Sequence, residues 1–203
     1  MPKTDYYQSV VTDKSWSLLQ LLSKRFDFVL IGGWAVWVYT KALKSKDIDI
    51  IVGYDTLPAL KEQFSIVKNE RLKKYEAKAE EVDIDIYLPH YSDPGLSPET
   101  IRQHTAVREG FTVPTAETLL ILKQFVYSQR KGSIKGQKDK LDIISLVRES
   151  ARFPLYSKLC VAVGYKDFPN ELRLLLEETY QVPELGLDRH RMARLKKRVL
   201  SKL

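Results

Sequence analysis

The stretch "GGWAVWVYTKALKSKDIDIIV", Gly32 to Val52, decides how this chain is read. Two glycines precede an aromatic-rich apolar run of helical length. Two aspartates one residue apart then open a run of Ile and Val short enough for a buried strand. Side chains alternate along a strand, so Asp47 and Asp49 project from one face while Ile48, Ile50 and Val52 project from the other. Charge at the mouth of a buried strand is costly unless something pairs with it.

A second segment repeats the pattern. In "VDIDIYLP", residues 82–89, alternation places Glu81, Asp83 and Asp85 together, opposite Val82, Ile84 and Ile86. Were the two strands neighbours, about 4.8 Å apart, a carboxylate of the second would reach the pair on the first. Three anions so close would raise one another's pKa values unless a cation sat among them. Oxygen ligands with no His or Cys nearby suit Mg²⁺, which also takes substrate phosphates as ligands. Two such ions, about 3.5–4 Å apart, would serve both the attacking and the leaving oxygen of a phosphoryl displacement. The structural alternative is an Asp-x-Asp that caps a turn or pairs with Lys44 and Lys46. Gly32 and Gly33 favour the functional reading. After the apolar "FVLI" they let the backbone turn sharply and let a phosphate approach the amides, while the helix from Trp34 points its positive end at that phosphate.

With these residues in view, "IGGWAVWVYTKALKSKDIDI" resembles the signature of the DNA polymerase beta-like nucleotidyltransferase superfamily: an apolar residue, a glycine pair, a spacer, then Asp-x-Asp between apolar residues, with a third acid on a later strand. The spacer, Trp34 to Lys46, has thirteen residues, at the long end of the pattern. The resemblance implies that Asp47 and Asp49 hold metal, that Gly32 and Gly33 meet nucleotide phosphates, and that "VDIDIYLP" supplies the third acid, which also acts as base. Asp83 and Asp85 share a face; Asp85 is preferred because it lies deeper in the apolar strand, with Asp83 the alternative.

Residues 114–146, "PTAETLLILKQFVYSQRKGSIKGQKDKLDIISL", are similar to the later motifs of abortive-infection nucleotidyltransferases, the toxin halves of type IV toxin-antitoxin pairs. A helix from about Thr115 to Arg130 would set Lys123, Tyr127 and Arg130 at i, i+4 and i+7 on one face. The resemblance implies that Lys123 or Arg130 contacts triphosphate and that Tyr127 stacks on a base or sugar. Against it stands a solvated stripe with Tyr127 half buried. Asp139 and Asp142, also in the pattern, are expected to pair with Arg130 or Lys138 and fix their helix. The two matches together cover roughly residues 28 to 146.

Length and composition set the frame. The chain has 203 residues, 44% apolar and 29% charged, which argues against a mainly disordered protein. Cys160 is the only cysteine, so no intrachain disulfide can form and a reducing cytoplasm is the expected compartment. No run approaches the roughly 18 apolar residues of a membrane span, and "MPKTDYYQSV" lacks the apolar centre of a signal peptide; a soluble, unprocessed protein is expected. The net charge of +7 is concentrated in "DRHRMARLKKRVLSKL", residues 188–203, where seven Lys or Arg stand against one Asp. That tail reads either as a polyanion patch or as an amphipathic helix packing Met192, Leu195 and Val199.

Strand and helix signals mix up to about residue 112, and helical patterns follow. The expected architecture is therefore α/β in the α+β sense: a small mixed-sheet nucleotidyltransferase domain, 1–112, then a helical portion, 113–203, completing the cleft and ending in a basic helix. Residues 65–80 read as one or two strands, and "KGSIKGQ", residues 131–137, as a flexible basic loop.

The functional expectation is a Mg²⁺-dependent transferase that binds ATP or another NTP and moves its nucleoside monophosphate to an acceptor hydroxyl. The toxin-like match and the basic tail favour an RNA or tRNA 3′ end, and the same match implies a partner antitoxin protein. Because "GGWAV" also resembles the opening of antibiotic nucleotidyltransferases, a small hydroxylated acceptor is the runner-up. A noncatalytic nucleic-acid-binding module is the rival of another class. An Asp-x-Asp phosphatase of the haloacid dehalogenase kind is discounted, because there the pair follows its strand, whereas here apolar residues continue through Val52.

Overall fold

Seven short segments rich in β-branched or alternating residues pair into one mixed sheet. In the computed structural model, which describes residues 3–203 with side chains from residue 10 onward, the strand order is β3-β4-β5-β2-β1-β7-β6. The stretch "MPKTDYYQSV", expected not to be a signal peptide, lies largely outside the described side chains. The strands are β1 (Val29–Ile31), β2 (Ile48–Ile51), β3 (Ile66–Asn69), β4 (Lys74–Ala79), β5 (Val82–Tyr87), β6 (Thr105–Arg108) and β7 (Phe111–Pro114). Helices α1 (Lys3–Ser23), α2 (Gly32–Thr40), α3 (Thr56–Gln63) and α4 (Pro98–Gln103) belong to the same part of the chain. Contacts divide the molecule into two units, one ending at Pro114 and the other Thr115–Leu203.

In the first unit, β2 runs parallel to β5 and antiparallel to β1, so the Asp-x-Asp strand lies inside the sheet. Ile48, Ile50, Ile51, Ile84 and Ile86 are buried, each contributing about 1.5–3 kcal/mol by leaving water. Trp34, on α2, is fully buried and donates its indole N–H to Ser15 Oγ at 2.8 Å. Trp16 of α1 packs against Trp34, Trp37 and Phe111, with ring centroids 4.8–5.6 Å apart. The tryptophans after the glycine pair thus fasten α2 against α1 and the sheet, which fixes where that helix begins.

The sequence pattern differs from the structure in three places. Helix α2 takes in both glycines instead of starting at Trp34, and stops at Thr40, where Lys41 turns left-handed (φ 54°). The segment 105–114, which carries no strong strand pattern, forms the β6–β7 hairpin at the sheet edge. The basic loop contracts, because Ser133 caps the next helix by accepting the Gly136 N–H at 2.9 Å.

The second unit contains α5 (Ala116–Arg130), α6 (Ile134–Glu149), α7 (Phe153–Ala162), α8 (Phe168–Glu178) and α9 (Arg189–Leu200). Leu119, Leu120, Ile143, Ile144, Leu172 and Leu176 are buried. Glu117 is buried as well and accepts from the Arg152 backbone N–H (2.9 Å) and Nε (3.1 Å). On α9, Met192, Leu195 and Val199 are buried, and Asp188 caps the helix through the Arg191 N–H, so the basic tail is an amphipathic packed helix. Among the described residues no helix is long and apolar enough to cross a membrane.

Candidate active site

The register of the central strands brings the sequence-predicted acids together. Asp49 on β2 stands opposite Asp85 on β5, and Asp85 stands opposite Glu76 on β4. Residues paired in register share a sheet face, so three carboxylates form one row across three adjacent strands. Asp47 lies in the bend just before β2, two residues from Asp49, and is exposed. Asp83 is also exposed; its side chain lies 4.0 Å from Lys78, its register partner. Of the two candidates for third acid, Asp85 is therefore the one in register with Asp49.

Lys74 enters this row. Its Nζ, on a side chain only 13% exposed, lies 2.6 Å from Asp85 Oδ2 and 3.0 Å from Glu76 Oε1. The lysine answers the Asp85–Glu76 side of the row and leaves Asp85 Oδ1 toward other uses. Burial is the largest influence on the Asp85 carboxyl and holds its pKa above the ordinary carboxylate value. Lys74 opposes that shift, and the charges of Glu76 and Asp47 add to it. For Lys74 itself burial acts downward, but Asp85 and Glu76 outweigh it and keep the ammonium above its usual range. The sequence reading missed Lys74 and Glu76. Their signal was the alternation in "KYEAKA", which places Lys74, Glu76 and Lys78 on one face of β4.

The glycine turn abuts the same row. Gly32 has φ +68°, a conformation that favours glycine, and a Cβ built there would run into the Asp49 carboxylate. Ile31, just before it, is the register partner of Asp49 on β1. The first turn of α2 thus begins against the Asp49 carboxylate, with Gly33 next in the turn and buried. Lys44, one of the lysines weighed as a local partner for the aspartates, pairs instead with Asp13 at 2.6 Å.

For a divalent ion, the donor chemistry fits: Asp47, Asp49 and Asp85 offer carboxylate oxygens alone, the set a hard cation prefers. As the side chains stand, no three acidic, histidine or cysteine groups among the described residues converge as a metal cluster. The Lys74 contact accounts for one oxygen of Asp85.

On α5 the predicted stripe is engaged within its own unit. Lys123 is buried, with Nζ 2.7 Å from Asp142 Oδ2 and 3.5 Å from Asp139 Oδ1. Arg130 grips Asp139 with two bonds, Nε to Oδ2 at 2.6 Å and Nη2 to Oδ1 at 3.0 Å. Tyr127, between them on the helix, is half-buried. Asp139 and Asp142 thus tie α6 to α5, with Lys123 as well as Arg130 on the basic side. Cys160 is fully buried, and burial pushes its thiol up to about 11, far from a reactive nucleophile.

No family model matches the chain, and no curated protein matches it in sequence. Among solved structures, JHP933 from Helicobacter pylori is similar at 15% identity, over 96% of this chain and 91% of that one, with a TM-score of 0.49. An antigenic nucleotidyltransferase-like protein from Paracoccidioides brasiliensis is similar at 17% identity, over 90% and 97% of the two chains, with a TM-score of 0.40. The antibiotic-resistance factor ANT(2'')-Ia is similar at 16% identity, over 84% and 90%, with a TM-score of 0.46.

Proposed function

We propose that this chain is a Mg²⁺-dependent nucleotidyltransferase that moves a nucleoside monophosphate from an NTP to an acceptor hydroxyl, with an RNA 3′ end as the acceptor. The observation that carries the reading is the in-register pairing of Asp49 with Asp85 directly against the Gly32 turn. Acids from two separate segments are gathered beside the start of a helix whose amides can receive phosphate oxygens.

Asp47 and Asp49 would hold the ion, with Asp85 beside them. Bound there, Mg²⁺ would offset the charge that grows on the leaving pyrophosphate. Asp85 takes the proton of the acceptor hydroxyl, whose oxygen forms a bond to the α-phosphorus as the bond to pyrophosphate breaks. Lys74 anchors Asp85 through Oδ2 and so orients it. The amides of Gly32 and Gly33 receive the triphosphate. Nucleotide contacts for Tyr127 and Arg130 rest on the motif resemblance alone, and Lys123, buried between two aspartates, serves its helix pair first.

The test is incubation of the purified protein with each α-³²P-labelled NTP, Mg²⁺ and total RNA, beside Asp49→Asn. Label entering RNA only with the wild type supports the reading. Label entering an added aminoglycoside instead keeps the reaction class and reassigns the acceptor. Equal labelling by both proteins removes Asp49 from the chemistry.

A further inference from the structure

The second unit carries a surface hollow of about 560 Å³ that the site above does not use. It is lined by Lys140, Glu178, Thr179, Tyr180, Gln181 and Arg189. The chain builds it where α8 ends. Thr179 closes the helix by donating its hydroxyl to Leu175 O at 2.7 Å, and the next residue, Tyr180, swings outward with 72% of its surface exposed. Lys196 of α9 lies 5.0 Å from the Tyr180 ring centroid and is held there by its bond to Glu177 O at 2.8 Å. A fixed cation thus lies over one face of a ring that is otherwise largely exposed.

Two cations, Lys140 and Arg189, line the hollow together with one acid, Glu178. Among the described residues neither Lys140, half-buried on α6, nor Arg189, at the start of α9, makes a hydrogen bond or ion pair. Other basic residues of this region are committed: Arg191 to Gly186 O, Arg198 to Arg148 O and Lys196 to Glu177 O. Burial draws the Lys140 ammonium below its ordinary pKa; the charge of Glu178 opposes that shift and the charge of Lys131 adds to it. A lone exposed tyrosine needs no explanation. An exposed ring with two cations that make no hydrogen bond in the same concavity is an arrangement that can stack a base while gripping its neighbouring phosphates.

We propose that this hollow is a subsite for single-stranded RNA, in which Tyr180 stacks on one base and Lys140 and Arg189 take adjacent phosphates. The proposal deepens the RNA-acceptor reading above and rests on it.

Fluorescence anisotropy with a fluorescein-labelled 12-nucleotide RNA of mixed sequence, titrated with the full chain at several salt concentrations, tests the proposal. Tyr180→Ala should weaken binding by roughly 5- to 150-fold, the loss of one stacked base, while Tyr180→Phe retains it. Lys140→Gln and Arg189→Gln should each lower the salt slope of log affinity by about 0.7. Since Tyr180 is exposed, these losses are read with the fold intact, checked by circular dichroism. Variants that bind like the wild type, or a wild type that does not hold the oligomer, overturn the subsite. Tyr180-dependent binding without any nucleotidyl transfer to RNA upholds the subsite and instead removes the acceptor reading.

Discussion

Asp49 and Asp85 are register partners on the parallel strands β2 and β5, although a helix and two strands lie between them in the chain. Glu76 on β4 extends the row, and Lys74 bridges Asp85 to Glu76. The sheet therefore concentrates negative charge on one face while stationing a cation at one end of it. At the other end lies the Gly32 turn, whose lack of a Cβ leaves room for the Asp49 carboxylate.

That turn gives the sharpest single-residue prediction. Gly32→Ala faces a left-handed φ, costing about 1–2 kcal/mol for an L residue, and its methyl group would displace the Asp49 carboxylate. Thermal unfolding should fall by several degrees, and NTP binding should weaken beyond what the stability loss explains. Wild-type binding by a folded Gly32→Ala protein would separate the turn from the site.

Lys74→Met should leave the Asp85 carboxylate without its close cation, costing about 1–3 kcal/mol. Added Mg²⁺ should then raise the melting temperature of the variant more than that of the wild type, because an ion bound to the native state stabilises by mass action. Equal Mg²⁺ effects on the two proteins would show that the lysine and the ion do not share the carboxylate.

Much of this arrangement could be read from alternation alone. "DIDIIV" and "VDIDIYLP" each announce a strand with acids on one face, since a one-residue shift would put those acids into the core. Which strands become neighbours, and in what register, is set by long-range pairing and lies outside any local pattern. Glu76 and Lys74 escaped notice for that reason: on an isolated strand "KYEAKA" looks like a solvated edge, and only its pairing with β5 brings them to Asp85. The α5 stripe shows the opposite case. Its spacing was legible, but the pairing of Lys123 with Asp139 and Asp142 depends on how α6 packs.

Lys123→Met should destabilise the protein by about 3–5 kcal/mol, since it leaves Asp142 buried without a nearby cation. Chemical denaturation measures this directly. The combined variant Lys123→Met with Asp142→Leu should recover much of the loss, as a buried ion pair can often be replaced by apolar groups. No loss in the single variant would show that Lys123 is free for another task.

Glu117 should govern part of the acid stability. Burial alone would raise its pKa, but the hydrogen bonds from Arg152 prevail and hold it below the ordinary glutamate value of 4.5. Its contribution is complete above that value and is lost as pH falls through the lower folded pKa. Urea unfolding of wild type and Glu117→Gln should therefore differ at neutral pH and converge in acid. A constant difference across that range would contradict the assignment.

The most direct test of the central claim needs no knowledge of the acceptor. Isothermal titration of the wild type and of Asp49→Asn with NTP, each with and without Mg²⁺, reads whether the carboxylate row exists to hold an ion and its nucleotide. The prediction is binding by the wild type that requires Mg²⁺ and is lost in the variant. Binding indifferent to both the ion and the substitution would contradict it.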